Sequence, residues 1–207
     1  MSLKGKLPNQ VLNLTLTTLD EIMGQKGTKS LLNYIGLQKF IDNYPPYNLD
    51  LDQTSDDFSH FLTGVIDIMG IKGARPILFR GGMRAFEIMR EKYPGLWNLE
   101  GLEPTERTPE KLYSEFVRIQ GIIVSASTQI FGDIYKLYES EEGLALENHD
   151  CYWCKGLKTE APVCFGSCGF NYAVAKWIMG PEAKVEETQC NATGADFCKF
   201  IMYKPKE

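Results

Sequence analysis

The hexapeptide Ile22-Met23-Gly24-Gln25-Lys26-Gly27 returns as Ile68-Met69-Gly70-Ile71-Lys72-Gly73, an offset of 46 residues, and this duplication constrains the first half of the chain more than any other feature. Leu16, Thr17, Leu32, Gly36 and Phe40 meet Leu62, Thr63, Leu78, Gly82 and Phe86 at the same offset. Apolar residues fall at helical spacing on both sides of each Gly-x-Lys-Gly, so each copy predicts helix, glycine turn, helix. Glycine suits the turn because a helix end commonly needs a residue at positive φ, which glycine enters without a Cβ clash. A phosphate loop over Gly24–Ser30 fails on spacing, and it would follow a helix where a strand is required. A DNA-reading helix-turn-helix is weakened because Arg75, Arg80, Arg84 and Arg90 are partly offset by Glu87 and Glu91, the mark of a solvated face.

Between the copies, Asn43 to Asp57 reads as a surface connection whose acids are too irregularly placed for a calcium loop. A second boundary falls between Pro94 and Pro109, dividing the chain into a helical half, 1–106, and a second half, 107–207. Thr108-Pro109 supplies an N-cap with proline at the first helical position. The helix after it carries Leu112, Phe116, Ile119, Ile123, Ala126 and Ile130 on one stripe, although the β-branched run Ile122-Ile123-Val124 could equally open a strand. Short strands are expected at Ile134–Tyr138 and Leu144–Glu147, a helix from Pro162 to about Gly180, and final strands at Lys184–Thr188 and Phe197–Tyr203 around Gly194. This order predicts an α+β fold with an antiparallel sheet covered by helices on one face.

The chain has 207 residues, 43% hydrophobic and 24% charged, which predicts an ordinary soluble globular protein. Its formal net charge of -5 is well mixed and gives no basic field for nucleic acid. No run approaches the roughly 20 apolar residues of a membrane span and the N-terminus lacks a signal-peptide core, so a cytoplasmic location and no membrane partner are expected. In a reducing compartment the six cysteines, at 151, 154, 164, 168, 190 and 198, are thiols or metal ligands rather than disulfides. Zinc takes four ligands in a tetrahedron and tolerates a carboxylate among thiolates. Cys190 and Cys198 flank the turn at Gly194, Glu187 precedes it, and Cys164 falls in the first turn of the helix from Pro162, where the dipole favours a thiolate. Buried apolar thiols explain the same spacing equally well. A rival chelate is Cys151-Tyr152-Trp153-Cys154 with His149 before it and Cys168 after; a second metal, an iron–sulfur cluster, a redox dithiol and plain thiols all stay open there.

Pro162-Val163-Cys164, Cys168-Gly169-Phe170 and the run from Val185-Glu186-Glu187 through Cys190-Asn191-Ala192-Thr193-Gly194 to Phe197-Cys198-Lys199-Phe200 carry a family likeness. From about Leu112 to Tyr203 the chain resembles the 4-vinyl reductase domain, a small-molecule-binding module also found as the sensory part of phenol-responsive transcription activators. The resemblance implies a structural zinc on Cys164, Glu187, Cys190 and Cys198. It also implies a fold similar to that of vesicle-tethering subunits, and pairing into homodimers. A pocket between helices and sheet would be lined from Phe116, Phe131, Tyr135, Trp153, Phe165, Phe170, Tyr172 and Trp177, suiting a small hydrophobic or aromatic ligand. The expected function is therefore binding or sensing. One alternative is a reductase acting on a tetrapyrrole vinyl group, but no Gly-x-Gly-x-x-Gly follows a strand and nothing marks His60 or His149 as poised for proton transfer. The other is a protein–protein adapter.

Overall fold

In the computed structural model, residues 5–97 and 107–205 are described. The boundary expected between Pro94 and Pro109 thus lies largely outside the described residues.

Each repeat copy forms one long helix broken at its glycine. Helix α1 spans Asn9–Tyr34 and leaves helical geometry at Gly24 (φ 76, ψ 155). Helix α2 spans Ser55–Lys92 and does the same at Gly70 (φ 66, ψ 164). A side chain at that φ would be strained, which is why both copies keep glycine at the kink. The Thr54 hydroxyl accepts the Asp57 N–H at 3.0 Å, and Asp56 and Asp57 sit at the positive end of the helix dipole, with Arg90 and Lys92 at the negative end.

Helix α1 has no side-chain cap of its own. The segment read as a plain surface connection does that work: the Asn9 and Gln10 N–H groups donate to the Asp50 and Asn48 carbonyls, both at 2.9 Å. The Asn9 side chain also donates to Asn48 and Asp52. Short strands β1 (Lys6–Leu7) and β2 (Gln53–Thr54) pair beside it.

Helix α3 spans Pro109–Phe131, with the Thr108 hydroxyl accepting from Lys111 N–H. The β-branched run at 122–124 stays helical, and Gly132 (φ 83) ends the helix. Strands β3 (Tyr135–Glu139) and β4 (Gly143–Asn148) form the expected hairpin. Helix α4 follows at Phe165–Met179, then β5 (Val185–Gln189) and β6 (Cys198–Tyr203). The sheet order is β3-β4-β6-β5, antiparallel throughout, with α3 and α4 against it. This is the α+β architecture expected from the sequence.

Helices α2 and α4 cross with their backbones in contact. A Cβ on Gly82 would lie 2.0 Å from the Gly166 carbonyl oxygen, and one on Gly169 would lie 2.0 Å from that of Phe79. One apolar core runs through both halves, joining Leu16, Phe58 and Phe61 to Phe116, Leu144 and Phe200.

Candidate functional site

Cys164 occupies the N-cap of α4, because the helix begins at Phe165, three residues later than Pro162 suggested. Its backbone N–H donates to Glu187 Oε2 at 2.8 Å, so the capping acceptor comes from the neighbouring strand. A carboxylate there satisfies an orphan amide and meets the positive end of the helix.

Glu187 and Cys190 are three apart, and in a regular strand they would point to opposite faces. A bulge prevents this: Glu187 pairs with Phe200 while Gln189 pairs with Lys199, so one residue is extra on β5. Val185 and Glu187 are partly buried, Thr188 and Gln189 exposed, and Cys190 buried. The bulge thus returns Cys190 to the face that holds Glu187. Beyond it, Asn191–Thr193 form a 3-10 turn closed by Gly194 in the left-handed region (φ 95). The turn aims the Asn191 N–H at Cys198 Sγ, 3.3 Å away.

One donor each from Cys164, Glu187, Cys190 and Cys198 lies within 4.8 Å of the other three. Cys164 Sγ is 4.0 Å from that of Cys190 and 3.8 Å from that of Cys198. Burial pushes the Glu187 carboxyl up to about 9, and its Oε1 has no hydrogen-bond partner. An orphaned buried carboxylate oxygen among thiols fits a thiophilic divalent cation.

The rival pair joins the same place. Cys151 and Cys154, in the loop after β4, form a second group with Cys164 and Cys198, again with all four sulfurs within 4.8 Å. Cys151 Sγ lies 3.6 Å from Cys164 Sγ, and Cys154 Sγ lies 3.4 Å from Cys198 Sγ. Cys168 is buried but belongs to neither group, and burial lifts its thiol to about 12. His149 instead faces Glu147 at 3.1 Å and packs on Phe197.

A cavity of about 260 Å³ lies between helices α1 to α4 and the inner face of the sheet. Phe131, Tyr135, Trp153 and Phe170 line it, whereas Phe116, Phe165, Tyr172 and Trp177 do not. Phe116 is core, Tyr172 packs on Phe79, and Trp177 packs on Phe86. The duplicated half supplies much of the wall, including Val11, Leu14, Thr18, Ile77 and Leu78. No single-sequence signal distinguishes those residues from ordinary core.

Both residues between the chelating cysteines, Tyr152 and Trp153, also face the cavity. Phe58 meets both edge-on, and the Trp153 ring covers the space a Cβ on Gly166 would fill.

The cavity has one polar feature of note. Asn171 Nδ2 donates to the Ser167 carbonyl at 2.9 Å, which leaves Asn171 Oδ1 to accept from Gln120 Nε2 at 3.2 Å. Gln120 Oε1 is then the end of the chain of bonds, buried without a partner. The carbonyl of Ser167 fixes both amide orientations, since it can only accept.

Residues 144–204, the stretch holding all six cysteines, match the 4-vinyl reductase domain. An uncharacterized protein of Methanocaldococcus jannaschii is 31% identical over 62 residues, which are 30% of this chain and 34% of that protein. The chain thus spans about a third of the length of this curated relative, 34%. Among solved structures, a variant of Tt H-NOX is similar over 96% of both chains, at TM-score 0.57 and 15% identity. An H-NOX protein from S. oneidensis is similar over 94% of this chain and 99% of its own, at TM-score 0.56 and 12% identity. These likenesses establish a shared fold. The phenol-responsive sensory domain of the transcription activator PoxR aligns with 72% of this chain and 74% of its own, at TM-score 0.45 and 14% identity.

Proposed function

We propose that this chain binds and senses a small, largely apolar molecule carrying one hydrogen-bond donor, in a domain braced by zinc on Cys164, Glu187, Cys190 and Cys198. The observation that carries the ligand reading is Gln120 Oε1, a buried acceptor without a partner beside an apolar cavity. Leaving such an acceptor unpaired costs about 1–3 kcal/mol, which a ligand O–H or N–H would recover. The helical half, 1–106, closes the cavity against the zinc-bearing half, 107–207, in this reading. Sensing follows if the ligand favours one arrangement of these walls over another. The match of residues 144–204 to the 4-vinyl reductase domain supports a binding module.

Zinc would draw all four ligands from the protein, leaving no open position for an activated water, so its contribution is to folding. A reducing, cytoplasmic setting and a homodimeric state belong to the same reading.

Paired ligands test it. Binding of 4-ethylphenol and of ethylbenzene to the metal-loaded chain is followed by calorimetry, in the wild type and in Gln120→Leu. The hydroxylated member is expected to bind at least about tenfold tighter, a preference lost in the variant. Equal affinity in the wild type, or no binding of either, overturns the reading.

A further inference from the structure

Two groups of four donors sharing two sulfurs is more than one ion can use. A zinc tetrahedron with Zn–S near 2.3 Å has S···S edges of about 3.8 Å. The Cys164–Cys198 separation is 3.8 Å, and this edge is common to both groups. The remaining measured edges are 3.6 and 3.4 Å on the Cys151/Cys154 side and 4.0 Å on the Cys190 side. Two tetrahedra joined along one edge place two cations side by side, with each shared thiolate bridging them.

We propose that the cluster is a two-metal site for thiophilic cations. One cation sits on Cys151, Cys154, Cys164 and Cys198 and the other on Cys164, Glu187, Cys190 and Cys198, bridged by the thiolates of Cys164 and Cys198. The proposal extends the single zinc site above and rests on it.

Charge favours the pair. Five thiolates and one carboxylate carry six negative charges, and a single divalent cation leaves four of them uncompensated in a buried place. Two cations leave two, spread over five sulfurs, one of which also receives the Asn191 N–H. Buried charge persists only when paired and hydrogen-bonded, so the second cation is what allows Cys151 and Cys154 to be thiolates together with the rest. Each metal that binds displaces the protons of its thiols to solvent, and no redox step is involved.

The test uses the full chain loaded with cadmium-113, a thiophilic stand-in for zinc. Expected are two cadmium ions per chain by elemental analysis and two cadmium resonances split by coupling through the bridging sulfurs. The double variant Cys151→Ser, Cys154→Ser should hold one ion with a single unsplit resonance, as should Glu187→Gln with Cys190→Ser. One ion per wild-type chain that is insensitive to Cys151 and Cys154 overturns the proposal and leaves the single zinc site standing. One ion lost with Cys151 and Cys154 but retained without Glu187 and Cys190 overturns both. No bound metal also overturns both.

Discussion

Glu187 Oε2 accepts the Cys164 backbone N–H at 2.8 Å, so a single carboxylate caps helix α4 and stands among the sulfurs at the same time. Glu187→Gln keeps a capping oxygen but loses the charge, whereas Glu187→Ala loses both. In metal-free protein, Ala should cost about 1 kcal/mol more than Gln, the usual worth of an N-cap, as read from urea unfolding. In loaded protein both should weaken metal retention at least about tenfold in a chelator competition, because each removes a ligand.

The same carboxyl gives the metal-free protein a pH dependence. Its folded value, pushed up to about 9 by burial and next by Cys190, exceeds the unfolded value of about 4.3. The neutral form is therefore the one the fold favours. Stability from this group is fully present below about 4.3 and is lost as pH rises toward 9. Melting temperature of the stripped protein should fall across that window, and Glu187→Gln should flatten the fall. A wild-type profile that rises steadily from pH 5 to 8 contradicts the burial of this group.

Two glycines separate contact from conformation. Gly169→Ala drives a Cβ to 2.0 Å from the Phe79 carbonyl oxygen, a backbone atom that cannot swing aside. The expected loss is about 3 kcal/mol, from overpacking at a helix crossing. Gly121, inside α3, has nothing within 4 Å of an added Cβ. Gly121→Ala should stabilise by about 0.5–1 kcal/mol, through helix propensity alone. Denaturant midpoints of the two variants would move in opposite directions.

Phe58 is fully buried and meets the rings of Tyr152 and Trp153 edge-on, at 5.3 and 4.9 Å between centroids. Phe58→Ala should cost about 3–5 kcal/mol by leaving a cavity beside the cysteine loop. The Trp153 emission should shift to longer wavelength as its surroundings open. An unchanged spectrum with a small stability loss would mean that the loop is held from elsewhere.

The glycine kinks at 24 and 70, the hairpins and the capping threonines were legible because each depends on residues close in sequence. The bulge between Glu187 and Gln189 was not. Alternation alone puts Glu187 and Cys190 on opposite faces, and only the family likeness grouped them. Cys151 and Cys154 were visible as a chelating pair, yet spacing alone could not say that the loop after β4 returns them to Cys164 and Cys198. The aromatic candidates split for a similar reason. Phe131, Tyr135, Trp153 and Phe170 face the cavity while Phe116, Phe165, Tyr172 and Trp177 do not, and which side of a core residue meets empty space is decided by distant partners. Leu14, Thr18 and Ile77 enter the wall only because α1 and α2 lie over the second half.

Tyr152 and Trp153 are walls of the cavity, and the residues on either side of them are sulfur donors. Four consecutive residues therefore belong to two sites at once. If a guest in the cavity prefers one placement of those rings, it changes the hold of the neighbouring sulfurs on a cation, and the cation changes the hold on the guest by the same factor. Oxidant that reaches the sulfurs would be felt by the guest without touching it, so the loop lets one protein answer to chemical conditions as well as to a molecule.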